Sequence, residues 1–135
     1  MKTGYKLVYK LLTEFFLRTV GARGAVLPPS ISTYSFLNRK GFNVDYGIVD
    51  SRYDFIYLRT TTLTSKTISK YLTKVEKHGI IIVRTRNFDF QDVAKYISNS
   101  NYAILTSVYV LNENEVLVKF YMEGTKDEEK FRRGI

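Results

Sequence analysis

Residues 53–83 read YDFIYLRTTTLTSKTISKYLTKVEKHGIIIV, and this stretch decides the fold. Phe55-Ile-Tyr-Leu58 is strand-like, bounded by Asp54 and followed by a threonine-rich loop. Thr64 suits a helix N-cap, because its hydroxyl can accept from a first-turn amide. The following residues, Ser65 to His78, place Ile68, Leu72 and Val75 on one helical face. Gly79 stands where a helix ends in a left-handed C′ residue. Ile80-Ile-Ile-Val83 is apolar without alternation, the pattern of an interior parallel strand covered on both faces. Strand, helix and strand in this order make a βαβ unit.

Working outward, Gly24-Ala-Val-Leu27 is a short strand stopped by Pro28-Pro29. Ser30 to Lys40 is expected to be a helix burying Ile31, Tyr34 and Leu37, closed by Gly41. Phe42 to Val44 and Tyr46 to Val49 are short strand candidates. Downstream, Phe90 to Ser98 predicts a helix, and Tyr102 to Leu111 and Glu115 to Met122 two strands around the turn Asn112-Glu113-Asn114. At the amino end, Gly4 to Thr19 carries Tyr5, Val8, Leu12, Phe15 and Phe16 at helical spacing, opposite Lys6, Lys10 and Glu14. Residues 123–135 form a charged tail. The expectation is one α/β domain over residues 1–135: a Rossmann-like, mostly parallel sheet flanked by helices, with a C-terminal antiparallel hairpin.

Composition narrows the chemistry. With 44% hydrophobic and 15% aromatic residues the chain can bury a core, which excludes a disordered class. No apolar run approaches the roughly 18 residues that span a bilayer, so no membrane association and a cytoplasmic location are expected. There is no cysteine and a single histidine, His78, which excludes disulfides, Cys-based metal sites and His-rich centres. No metal is expected. Charge is unevenly spread over the net +8: residues 1–50 carry seven Lys/Arg against three Asp/Glu, residues 51–86 eight against two, and residues 87–135 six against eight. Such asymmetry favours an anionic partner, DNA or RNA first.

Taken together, Tyr53-Asp-Phe-Ile-Tyr-Leu58, the helix, Lys77-His-Gly-Ile-Ile-Ile-Val83 and the closing hairpin from Tyr102 to Met122 resemble the second half of class I S-adenosylmethionine-dependent methyltransferases. That resemblance covers about seventy residues and implies S-adenosylmethionine as cofactor. The first half departs from the family. A glycine-rich loop should follow the first strand so that the backbone can approach the ligand, and here Leu27-Pro28-Pro29-Ser30-Ile31 follows it. Two prolines remove amide donors and fill the space glycines leave open. The resemblance implies that Asp45 takes the place of the acidic residue that holds ribose hydroxyls, although a lone Asp after a strand is more often a turn former. Under this reading, Ser30 and Asp45 are the cofactor-binding candidates. Only about thirty residues separate Gly24 from Tyr53, too few for two full βα units at usual loop lengths. One unit is expected to be missing or shrunken.

Open α/β sheets bind ligands beyond the carboxyl ends of their strands. Arg59 follows one such strand, and Arg84 and Arg86 the next, so three guanidinium groups can converge on a phosphate. The bland alternative is three solvated arginines, or one paired with Asp54 or Asp89. Lys66, Lys70, Lys74 and Lys77 form a basic stripe along the Ser65–His78 helix. A nucleic-acid backbone suits such a stripe, although an ordinary solvent face is its commoner meaning. His78, at a helix C-terminus, has an adequate structural explanation, and no catalytic residue is assigned.

The favoured reading is a non-catalytic methyltransferase-like module, without cofactor, that binds nucleic acid or another anion through Arg59, Arg84, Arg86 and the four lysines. The alternative is a reduced methyltransferase that still binds S-adenosylmethionine, with a partner chain completing the site. A third reading is a homodimer joined through the Val8/Leu12/Phe16 helix.

Overall fold

A computed structural model describes residues 22–49 and 52–125. Their elements are β1 (Arg23–Leu27), α1 (Ile31–Arg39), β2 (Asn43–Tyr46), β3 (Tyr53–Leu63), α2 (Ser65–Leu72), β4 (Val75–Phe88), α3 (Phe90–Ser98), β5 (Ala103–Val110) and β6 (Val116–Met122). The six strands form one sheet in the order β2-β1-β3-β4-β6-β5. β2, β1, β3 and β4 run parallel, and β6 pairs antiparallel with both β4 and β5. This is the mostly parallel Rossmann-like sheet with a closing hairpin that the periodicities predict. The expected helix over residues 4–19 and the tail beyond residue 125 lie outside the described residues.

Each face of the sheet carries a core. On one, Ile68 and Leu72 of α2 and Val93 and Ile97 of α3 pack over Ile56, Leu58, Ile81, Val83, Val118 and Phe120. On the other, Leu37 of α1 packs with Val26, Phe55, Tyr57, Ile80, Ile82 and Leu117. Burial on both faces explains the unbroken apolar run Ile80–Val83, in which every residue is fully buried. Gly24 in β1 is required by close approach: the Phe55 ring lies where a Cβ would stand, itself set edge-on against Phe42 at 5.5 Å between centroids.

Three expectations change. β3 does not stop at Leu58 but runs to Leu63, with Arg59↔Arg84, Thr60↔Thr85 and Thr62↔Asn87 paired to β4. The threonines are β-branched and favour a pleated ladder over a loop. α2 ends at Leu72, with Thr73 as its C-cap, rather than at His78. Val75 pairs with Tyr53 instead of continuing the helical face, and two steps along β3, from Tyr53 to Phe55, match five along β4, from Val75 to Ile80. The resulting bulge holds His78 at φ +69°, with its Nδ1 2.7 Å from the Tyr121 hydroxyl. Gly79 is therefore a buried strand residue and not a helix cap. Ile31, expected inside, is 72% exposed at the start of α1; Thr33 and Leu37 are buried there instead.

Only residues 47–52 connect β2 to β3, which agrees with the missing unit inferred from chain length. Tyr53 compensates locally. Its hydroxyl donates to Asp45 Oδ2 at 2.8 Å and accepts from the Val49 amide at 2.8 Å, fastening the short connection against the sheet. α2 and α3 are tied at their N-termini. Asp92 accepts from the Ser65 amide at 2.7 Å and the Ser65 hydroxyl at 3.0 Å, and those two bonds hold its carboxyl below the usual carboxylate range.

Candidate functional site

β1 leads to β2 on one side and β3 leads to β4 on the other. The reversal of strand order between β1 and β3 is the topological switch point, where open α/β sheets leave a crevice at their carboxyl ends. Such a crevice of about 550 Å³ is present, lined by Pro28, Pro29, Ser30, Arg59, Thr60, Thr61, Arg84, Arg86 and Glu115. The Leu27–Pro28 peptide bond is cis. Ser30 caps α1, accepting from the Thr33 amide at 3.5 Å. The amino end of a nine-residue helix, with its partial positive charge, thus opens on the crevice.

The ladder brings the three arginines together. Arg59 and Arg84 are paired across β3 and β4, and Arg86 follows two residues on, so all three lie on the α1 side of the sheet. Their states differ. Arg84 is buried and donates both arms of its fork to Glu115, Nε to Oε2 at 2.9 Å and Nη2 to Oε1 at 2.7 Å. Those bonds hold the guanidinium charged well beyond its ordinary range, and draw the Glu115 carboxyl down to about 2. Asn112 Nδ2 supports the same carboxylate at 3.1 Å. Neither Asp54 nor Asp89 is the partner: Asp54 accepts from the Arg23 amide at 2.9 Å, and Asp89 caps α3. Arg59 and Arg86 are exposed. Glu115 escaped sequence reading because it pairs with Arg84 across thirty-one positions of chain, through hairpin register that no local pattern records.

The other candidates are dispersed. Asp45 does not line the crevice. It sits in β2 opposite Ala25 and its carboxylate engages Arg23 at 3.0 Å and Tyr53 at 2.8 Å, the first residues of β1 and β3 and so at the far ends of those strands. Lys66 and Lys70 are exposed on α2, Lys74 is half-buried in the turn after it, and Lys77 belongs to β4. The expected stripe therefore breaks after Lys70. α2 also packs on the sheet face opposite to the arginines, so lysines and arginines do not form one surface. Among the described residues no group of three or more His, Asp or Glu side chains is placed to hold a metal ion, and no helix there is long and apolar enough to cross a membrane.

No protein-family model and no curated protein matches the chain. Solved structures do. Phosphoethanolamine N-methyltransferase 2 of Haemonchus contortus, in complex with phosphomonomethylethanolamine and S-adenosylhomocysteine, is similar with a TM-score of 0.67 at 9% identity, over 92% of this chain and 38% of that one. A putative class I S-adenosylmethionine-dependent methyltransferase of Listeria monocytogenes gives 0.68 at 8% identity, over 90% and 60%. The tRNA m1G37 methyltransferase of M. jannaschii gives 0.60 at 11%, over 88% and 50%. The chain thus has a class I methyltransferase-like fold, and spans less than two thirds of each of these neighbours. These structures overturn the expectation of a scaffold without cofactor, since one neighbour is a putative S-adenosylmethionine-dependent methyltransferase and another holds S-adenosylhomocysteine. They favour the alternative reading over the nucleic-acid-binding module, for which neither they nor the divided lysines offer support.

Proposed function

We propose that this chain is a reduced class I methyltransferase domain that binds S-adenosylmethionine in the crevice between the carboxyl ends of β1 and β3. The observation that carries the reading is the position of the crevice: it opens at the switch point, beside the amino end of α1, in a sheet whose neighbours are methyltransferases. When bound, the cofactor supplies an electrophilic methyl group on a sulfonium.

The residues fit one end of that molecule better than the other. Its carboxylate suits the α1 amino end and the Ser30 hydroxyl, because first-turn amides point outward and the helix dipole favours an anion. The Pro28 and Pro29 rings offer apolar contact and exclude water where glycine amides would otherwise donate. For the ribose diol the fit fails at Asp45, whose carboxylate is held by Arg23 and Tyr53 away from the crevice. Asp45→Asn is accordingly expected to lower stability by about 1–3 kcal/mol in urea denaturation while leaving cofactor affinity unchanged. Reduced affinity at unchanged stability would place that carboxylate on the ligand instead.

Electrostatics adds a signature. Three guanidinium groups against one carboxylate leave the crevice at +2. S-adenosylhomocysteine carries no net charge, whereas the sulfonium adds one positive charge. At roughly 1 kcal/mol for such an interaction in a solvated cleft, the demethylated product is expected to bind about fivefold more tightly than the methyl donor. The gap should widen at low salt. Calorimetric titration of the two ligands at two salt concentrations tests this. Saturable, one-to-one binding with that order supports the reading, and absence of binding by both ligands refutes it.

A further inference from the structure

We infer that Arg59 and Arg86 form a phosphate-binding pair, and that the methyl acceptor is a small phosphorylated molecule. The inference rests on the methyltransferase reading for the word acceptor, and on the crevice alone for the phosphate. Arg84 is neutralised before any ligand arrives, because its Nε and Nη2 donate to Glu115 and Asn112 supports the same carboxylate. The pair Arg84–Glu115 is thus a neutral wall. Arg59 is its cross-strand neighbour on β3 and Arg86 lies two residues further along β4 on the same sheet face; both are exposed, and neither side chain makes a hydrogen bond or ion pair among the described residues. Glu115, the carboxylate that lines the crevice, is committed to Arg84.

Two guanidinium groups so placed repel each other. A dianionic phosphate relieves that repulsion, since the planar fork matches phosphate oxygens in pairs. Both arginines are on paired strands rather than in loops, which holds them at a fixed separation before a ligand arrives. The crevice volume, about 550 Å³, is that of a small-molecule site. Lys66 and Lys70, which would extend the contact along a polymer, lie on α2 over the opposite face of the sheet. A phosphate also offsets the positive charge that opposes the sulfonium, so acceptor and methyl donor are expected to bind cooperatively.

The test titrates the full chain with glycerol 3-phosphate, inorganic phosphate and S-adenosylhomocysteine, in wild type, Arg59→Ala, Arg86→Ala and the opposite-face control Lys66→Ala/Lys70→Ala. Circular dichroism checks that each variant is folded. Either arginine variant should weaken both phosphate ligands by about tenfold or more, the size of one lost charge-assisted bond, with S-adenosylhomocysteine and the lysine control little changed. Phosphate binding that is absent, or indifferent to both arginines, overturns the proposal while leaving the methyltransferase reading intact if S-adenosylhomocysteine still binds. Joint loss of phosphate and S-adenosylhomocysteine in an arginine variant assigns that arginine to the cofactor and also overturns it. Phosphate binding without any S-adenosylhomocysteine binding upholds the arginine pair and removes the methyltransferase reading. Binding of a short RNA duplex that glycerol 3-phosphate cannot displace overturns the small-molecule assignment.

Discussion

Glu115→Ala should lower the unfolding free energy by about 3 kcal/mol, the low end of what breaking a buried ion pair costs. The alanine leaves the Arg84 guanidinium buried with both arms of its fork unsatisfied. The low end applies because Arg84 borders a crevice that water can enter. Glu115→Gln keeps one acceptor and should cost less. The pair also makes stability depend on acid. The Glu115 carboxyl is lowered from 4.5 to about 2 in the folded chain, so its contribution is complete above pH 4.5 and is lost as pH falls through 2. Asp92, lowered by its bonds to Ser65, acts in the same direction. Urea midpoints between pH 5 and pH 2 should therefore fall steeply in wild type and less steeply in Glu115→Gln. Parallel slopes would mean that the Arg84–Glu115 pair does not persist in solution.

Gly79→Ala should destabilise by a similar amount, about 3 kcal/mol, the upper part of the range for overpacking. A Cβ there would stand 2.5 Å from Val75 Cγ1, 2.6 Å from the Asp54 carbonyl oxygen and 2.9 Å from that of Glu76. Two of the three are backbone atoms, and one belongs to the neighbouring strand, so no side-chain rotation relieves the contact. Relief would require β4 to move away from β3 at the bulge between Val75 and Ile80, where the ladder supports the whole run that follows. Thermal or urea unfolding reads the effect directly. If Gly79 were the cap of a longer helix, with a left-handed backbone and open space around it, alanine would cost only about 1–2 kcal/mol. The size of the change therefore distinguishes the two placements.

The contrast at Gly79 shows what was legible in the sequence. Where hydrophobic period and capping residue agree, as in Phe90–Ser98 with Asp89 before it, the helix falls on the expected residues. The interior strand Ile80–Val83 and the hairpin around Asn112–Asn114 were equally readable, because each signal is local. The spacing of Val75 from Ile68 and Leu72 suits a helix, and only the pairing partner Tyr53, twenty-two positions away, draws it into the sheet. The site divides in the same way. Convergence of Arg59, Arg84 and Arg86 follows from strand ends and parallel register, both inferable from the βαβ pattern. The commitment of Arg84 to Glu115 and of Asp45 to Arg23 depends on long-range partners, which composition and spacing do not encode. The lysine stripe breaks for a further reason: helical spacing does not carry through residues 75–78, which belong to the sheet.

The central claim, that the switch-point crevice receives the cofactor, is tested most directly by amide chemical-shift mapping with S-adenosylhomocysteine. The largest shifts are expected at Ser30 and Ile31 at the amino end of α1 and at Thr60 and Thr61 in β3, with α2 and its lysines unaffected. Shifts absent at saturating ligand, or confined to the α2 and α3 face of the sheet, would contradict it.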